Sequence, residues 1–229
     1  MLLKSLLCFQ LYSTFELPKI IQNNHLYVIY YENKFSWHEI TRRRRKNMIY
    51  SKTDKTLETD RLLLRLFKET DAQEVSKFCN NYNLYKSTLN LPYPYSIDCA
   101  LTWIANHEKN YDLDQIYEFA ITDKQSGQLY GAIGISNHQQ YKNGEIAYWI
   151  GEEHWGNGYA TEAAKALIDF VFTEKNYHRV YARYFKSNPA SGKIMEKCGM
   201  HYEGTLKDHI YKNDVFEDIV FYGIINPMK

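Results

Sequence analysis

Tyr148-Trp-Ile-Gly-Glu-Glu-His-Trp155-Gly-Asn-Gly158-Tyr-Ala160-Thr-Glu-Ala163 joins an apolar, aromatic run to an alanine-rich one. The first part reads as a strand at 145–150. The last opens a helix at 161–174, where Ala164, Leu167, Ile168 and Val171 recur at helical spacing. Two glycines separated by one residue let the chain turn tightly between them and bring bare N–H groups close to a ligand. The first helical turn adds unpaired donors and the positive end of its dipole, a combination that favours a pyrophosphate. A tight turn without a ligand uses the same residues, so Gly-x-Gly alone leaves both readings open. Two commoner phosphate motifs fail: no Gly-Lys-Ser/Thr follows, and a dinucleotide fingerprint needs a third glycine and a preceding parallel crossover.

Working outward, residues 116–122 and 128–136 read as strands joined by the turn-rich Asp123-Lys-Gln-Ser-Gly127. Residues 178–185 are β-branched and aromatic, a further strand. Residues 189–197 form a short helix ended by Gly199, and 215–224 a last strand. Upstream, a strand of about five residues fits within 57–67. Asp71 with Glu74 forms a capping-box pattern opening a helix to about Cys79. Leu91-Pro-Tyr-Pro-Tyr95 cannot be regular helix, and Ser96 caps a helix running from Ile97 to about Asn110. Hairpins followed by a strand–helix–strand crossover predict an α/β (α+β) fold, a mixed, mostly antiparallel central sheet with helices on both faces.

The composition is that of an ordinary globular chain, with 45% apolar and 24% charged residues, and 21 tyrosines favour strand-rich packing. Net charge is +1, which gives no overall field toward nucleic acid or membrane. Residues 1–48 carry 8 of the 28 basic and 3 of the 27 acidic side chains, leaving 20 against 24 in the remainder. That remainder is mildly acidic and tolerates a cationic acceptor. Four dispersed cysteines without Cys-x-x-Cys spacing argue against a disulfide framework or a metal site and for a reducing cytoplasm. No run approaches the ~18 apolar residues of a membrane span.

Residues 1–47 lack a sustained period and end in Arg42-Arg43-Arg44-Arg45-Lys46. That run reads as a nucleic-acid or targeting patch, as a solvated linker, or as a translated ribosome-binding site, since purine-only codons encode arginine and lysine. On the last reading 1–47 is a non-domain leader, translation starts at Met48, and the catalytic domain spans 57–226. Intact mass of natively expressed protein decides it; a start at Met1 ends the idea.

Trp155-Gly-Asn-Gly158-Tyr-Ala160 resembles the acetyl-coenzyme A signature of the GCN5-related N-acetyltransferases (GNAT), Arg/Gln-x-x-Gly-x-Gly/Ala. Gly158 and Ala160 match its fourth and sixth positions, and Trp155 stands where Arg or Gln is usual. In this it is similar to the ribosomal-protein N-terminal (alanine or serine) acetyltransferases, which often read Trp-Gly-x-Gly-Tyr-Ala-Thr-Glu-Ala. Thr59-Asp-Arg-Leu-Leu-Leu-Arg65, Gly144-Glu-Ile-Ala-Tyr-Trp-Ile150, and Asn188-Pro-Ala-Ser191 running to Glu196-Lys-Cys-Gly-Met200 agree in order and spacing.

The resemblance implies an acetyl-CoA-dependent transfer to a primary amine by direct attack, without a metal. It implies a cofactor site of Trp155, Gly156, Asn157, Gly158, Tyr159, Ala160 and Thr161 around the pyrophosphate, with Trp149, Ile150 and Asn188 along the pantetheine arm. A tyrosine common seven residues after Asn188 is here Met195; Ser191 stands where the ribosomal-protein group places a serine and is the expected thiolate proton donor, or else a helix-start serine satisfying backbone donors. Glu145 is the expected proton acceptor, directly or through water, or else an edge glutamate. His209 and Tyr211 fall in the segment that closes over the acceptor in relatives, but the glutamate proposed there aligns with Ile210, which puts a protein N-terminus in doubt as acceptor. Trp103, Tyr93 and Tyr95 read as core aromatics or as lining of the acceptor wall. Cys198 reads as a packed thiol, and His138, His154 and His178 as structural or surface residues. Expected partners are acetyl-CoA and an amine, with neither nucleic acid nor membrane, for a monomer or homodimer. The rival class is a non-catalytic coenzyme A-binding sensor.

Overall fold

The structure, a computed structural model, describes residues 48–227 and the backbone of 19–23 and 26–30. The chain divides into two compact units, Met1–Arg44 and Arg45–Lys229. In the first, β1 (Lys19–Asn23) and β2 (Leu26–Tyr30) pair antiparallel, with Lys19 opposite Tyr30. These two strands fall within the expected leader 1–47, whose other residues, the basic run at 42–46 included, lie outside the described residues.

The second unit is built on one nine-stranded sheet. Its strands are β3 (Ile49–Ser51), β4 (Thr56–Glu58), β5 (Leu62–Arg65), β6 (Ile116–Asp123), β7 (Leu129–Ser136), β8 (Asn143–Ile150), β9 (Arg179–Phe185), β10 (His201–Lys212) and β11 (Val215–Ile225). Their order is β10-β11-β9-β8-β7-β6-β5-β4-β3, antiparallel throughout except for β8 against β9. The helices are α1 (Ala72–Cys79), α2 (Tyr82–Ser87), α3 (Ile97–Ile104), α4 (His107–Asp112), α5 (Tyr159–Thr173) and α6 (Pro189–Lys197). The mixed, mostly antiparallel sheet expected from the sequence is the fold.

Alternation along the central strands sorts their side chains onto two faces. Tyr117, Phe119 and Ile121 of β6, with Ile133, Ile135, Ile146 and Ile150, share a core with α5 residues Ala163, Leu167, Phe170 and Val171. On the opposite face Ala120 and Ala132 meet α1 and α3 through Val75, Phe78, Ala100 and Ile104. Small residues on that face leave room between sheet and helices, and the cleft described below opens there.

Four local readings change. The strand expected within 57–67 is β5, and a further strand, β4, precedes it, because the chain turns at Thr59, whose N–H bonds Leu62 O at 2.9 Å. Asp71 stands at the N-cap of α1, which ends at Cys79 as expected, but its side chain makes no cap bond: the carboxylate accepts from the Lys68 N–H at 2.7 Å and pairs with Arg65, closing a 3-10 turn one step earlier. The helix begun by Ser96, whose Oγ accepts from Cys99 N–H at 3.2 Å, breaks after Ile104, and α4 resumes at His107. There His107 is buried, edge-on to Trp103 and Phe67. Finally β10, twelve residues long, had no alternation to announce it, because it is exposed or half-buried along its whole length.

Candidate active site

The feature that makes a site is a break in sheet pairing. Strand β8 bonds β9 only from Asn143 to Glu145, opposite Arg179 to Tyr181, whereas it pairs with β7 from Ile146 to Ile150. Beyond Glu145 the two parallel strands part, and among the described residues one edge of β8 has no strand partner. Backbone N–H and C=O groups need partners, so this edge is suited to an extended ligand that carries amides.

The glycine loop lies at the end of that edge. Gly156 and Gly158 have φ of +80° and +81°, and a Cβ at Gly156 would meet nothing within 4 Å. Gly158 is the N-cap of α5 in the left-handed conformation, and the first helical bond runs from Glu162 N–H to Gly158 O at 3.1 Å. The amides of Tyr159, Ala160 and Thr161 are therefore left without helical acceptors. Asn157 Nδ2 donates back to His154 O at 3.1 Å and Trp155 O at 3.2 Å, which closes the loop on itself. Trp155, 46% exposed, donates its indole N–H to Ile150 O at 2.7 Å and so ties the loop to the end of β8. Loop and strand edge together fit a pyrophosphate continued by an amide-bearing arm, as coenzyme A is.

Glu162 braces this loop from below. Its carboxylate accepts from Thr59 Oγ1 at 2.6 Å, Arg61 N–H at 3.0 Å and Arg61 Nε at 2.7 Å. Arg61 in turn donates to Asn157 O at 3.1 Å and lies over the Tyr159 ring, which stacks on Tyr130. Burial alone would raise the Glu162 carboxyl, but the bonds from Thr59 and Arg61 outweigh it and hold it below the usual range. A carboxyl depressed on folding contributes stability above its unfolded pKa and loses it as pH falls through the folded one. Glu162→Ala is expected to cost about 2 kcal/mol at pH 7 and less at pH 3, read by urea melts at the two pH values. An equal loss at both would refute this assignment.

A cleft of about 920 Å³ opens at the parting of β8 and β9. Glu145, Tyr148, Trp149 and Arg183 line it from the strands, Ser191 and Met195 from α6, and Tyr95 and Trp103 from the side of α3. Ser191 sits at the third position of α6. Its Oγ accepts from Asn188 Nδ2 at 3.1 Å, leaving its own O–H free to donate, and its carbonyl takes the Tyr148 O–H at 3.1 Å. The side chain of Asn188 also reaches Ser87 O at 3.4 Å. The N-cap residue of this helix is Asn188, whose side chain makes no cap bond. Glu145 Oε1 accepts from Arg183 Nε at 2.7 Å, so the expected proton acceptor is in the cleft but held in an ion pair.

Of the other candidates, Tyr95 is buried and lines the cleft with Trp103, while Tyr93 is 47% exposed and stacks on Tyr85 outside it. Burial pushes the Cys198 thiol up to about 11, which keeps it protonated. Three residues that the sequence did not single out matter here. Arg183 pairs with Glu145. Lys212, near the tip of the β10–β11 hairpin, donates to Tyr85 O and Thr88 O. Glu118 is a carboxylate on the cleft floor, and its signal was a lone acid within the otherwise apolar Ile116–Ile121 stretch.

Comparison with known proteins identifies the family. The family description "Acetyltransferase (GNAT) domain" matches residues 61–201. The uncharacterized N-acetyltransferase YoaA of Bacillus subtilis (strain 168) is 30% identical over 176 residues, which cover 76% of this chain and 98% of YoaA. The [ribosomal protein uS5]-alanine N-acetyltransferase of Escherichia coli (strain K12) is 26% identical over 183 residues, covering 75% of this chain and 91% of that one. A solved structure described as a probable acetyltransferase superposes with a TM-score of 0.69 at 27% identity, covering 76% of this chain and 98% of the other. The chain belongs to the GNAT family and is an N-acetyltransferase.

Proposed function

We propose that this enzyme acetylates a small primary amine by direct attack, with Ser191 and Glu145 as its proton-handling groups. One observation carries the reading: the unpaired edge of β8, the unencumbered Ser191 hydroxyl and the Glu145 carboxylate all border a single cleft of about 920 Å³. Acetyl-CoA supplies a thioester carbonyl that takes the amine lone pair and a carbon–sulfur bond that breaks. Amides of Gly156, Asn157, Gly158, Tyr159, Ala160 and Thr161, steadied by Trp155, hold the pyrophosphate, while the Trp149–Ile150 edge and Asn188 hold the arm. Glu145 takes the proton released by the amine, directly or through a water. A main-chain N–H of β8 meets the negative charge growing on the carbonyl oxygen, and Ser191 Oγ–H protonates the departing sulfur. The free enzyme regains its starting protonation by exchange with solvent. We assign this work to residues 57–226 and place it in the cytoplasm.

Similarity to an enzyme named for ribosomal protein uS5 favours a second reading, in which the amine is a protein N-terminus. Thiol release from acetyl-CoA across a panel of alkylamines, amino compounds and N-terminal peptides separates the two. We expect release with small amines and little with peptides; the reverse order would overturn the small-amine reading. Binding of acetyl-CoA without turnover on any amine would make the protein a sensor instead.

A further inference from the structure

Glu118 lies on the face of β6 that floors the cleft, in register with Gly134 of β7, which is itself in register with Ala147 of β8. In-register residues of adjacent antiparallel strands project on the same side. This row therefore runs across the cleft floor from Glu118 to the strand edge where the acyl group is attacked. Gly134 supplies no side chain, and a Cβ there would stand 2.9 Å from Glu118 Cγ, so the glutamate already leans over it toward β8. Two strand spacings put the Glu118 and Ala147 backbones about 10 Å apart. The side chain crosses part of that span, and the remainder matches a short alkyl chain.

The surroundings leave this carboxylate without a cation. Among the described residues no lysine or arginine pairs with it; its one charged-type neighbour is His107, whose Nε2 approaches Oε2 at 3.1 Å. That contact is out of line for a hydrogen bond, and neither nitrogen of His107, 2% exposed, has a partner. Burial drives His107 down to about 4, so the ring is neutral and offers no charge. Burial also pushes the Glu118 carboxyl up to about 7, against the opposing Trp103 indole N–H, and an incoming cation reverses that shift. The remaining charged groups on the cleft wall are Asp98, from the start of α3, and Glu145 with its partner Arg183. Since Arg183 is committed to Glu145, the wall presents Asp98 and Glu118 uncompensated. Trp103 and Trp149, either side of this region, offer ring faces that also favour a cation.

We propose that Glu118 is a cation subsite of the acceptor cleft, which holds a second ammonium group a few carbons from the reacting amine and so selects diamine-type acceptors over monoamines. This rests on the acetyl-transfer reading of the same cleft. Glu118 touches the acceptor and not the reacting atoms, so its effect falls on acceptor KM.

A matched pair tests it: 1,4-diaminobutane against n-butylamine, which differ in the second ammonium alone. For the wild-type enzyme the ratio of their kcat/KM values is expected to be on the order of tenfold or more in favour of the diamine. In E118Q, which keeps the shape and loses the charge, the ratio should fall to about one, through KM. The ratio is insensitive to how much activity the variant retains, and a thermal melt confirms folding. Calorimetric titration of both amines into the protein loaded with coenzyme A measures the same preference without turnover. No preference in the wild type by either method, or a preference that E118Q retains, overturns the proposal. A charge-dependent binding preference with no acetyl transfer would leave the subsite standing and remove the catalytic reading of the cleft.

Discussion

Ser191→Ala is expected to lower kcat on the order of 10²-fold, with acetyl-CoA affinity held within about twofold of the wild type. The hydroxyl oxygen already accepts a hydrogen bond from Asn188, so its hydrogen is the part left to act. No other side chain takes over by position: Met195 has no proton to give. Tyr148 commits its O–H to Ser191 O, and burial raises its phenol further from neutrality. A helix-start serine that served packing alone would give the same loss with every acyl donor. A proton donor to sulfur would not, because a thiolate stable without a proton needs no acid. With an aryl thioester as donor, the variant should therefore recover most of its deficit. A deficit under about twofold with acetyl-CoA, or an equal deficit with both donors, would remove Ser191 from this role.

Gly158→Val is expected to weaken coenzyme A binding on the order of 10²-fold by calorimetry, through the backbone rather than through crowding. A Cβ at this position would meet only Arg61 Nη2, at 3.7 Å, so the protein has room for it. The residue sits at φ +81°, where a side chain costs about 1–2 kcal/mol and a β-branched one more. Relief of that strain turns the peptide planes that aim the Tyr159–Thr161 donors. Gly127, in the hairpin between β6 and β7, is the matched control: its φ is +75° and a Cβ there would meet nothing within 4 Å. Gly127→Val carries similar strain outside the glycine loop itself, in the neighbouring hairpin, so it should lower the melting temperature without the affinity loss. Equal loss of coenzyme A binding in both variants would refute the assignment.

The parts of this protein that were readable from its sequence are those set by local spacing. Helix α6 was found residue for residue because Pro189 opens it and Gly199 follows it, and α5 within two residues because its apolar stripe has one period. The bounds of α1 also matched, but the partner of Asp71 did not: its side chain turned back to Lys68 instead of capping the helix. The parting of β8 from β9 was invisible, because Glu145 and Tyr181 lie far apart in the chain and nothing local records where their pairing stops. For the same reason Glu145 could be picked as a carboxylate near the cofactor, but its tie to Arg183 could not. Glu118 was passed over because a single acid in an apolar strand looks like an edge residue until the neighbouring strands are placed.

The bonds of Lys212 to Tyr85 O and Thr88 O bear on what can reach the cleft. They fasten one hairpin tip to the stretch that leads into the Ser87–Pro92 wall, and Tyr85 Oη adds a bond to Asn213 Oδ1 at 2.8 Å. One ammonium serves as the rivet, and burial makes its charge costlier to hold, which lowers its pKa. Opening the seam would leave two carbonyls bare, a cost that accords with the slender acceptor proposed above and would weigh against a bulkier guest that needed it open.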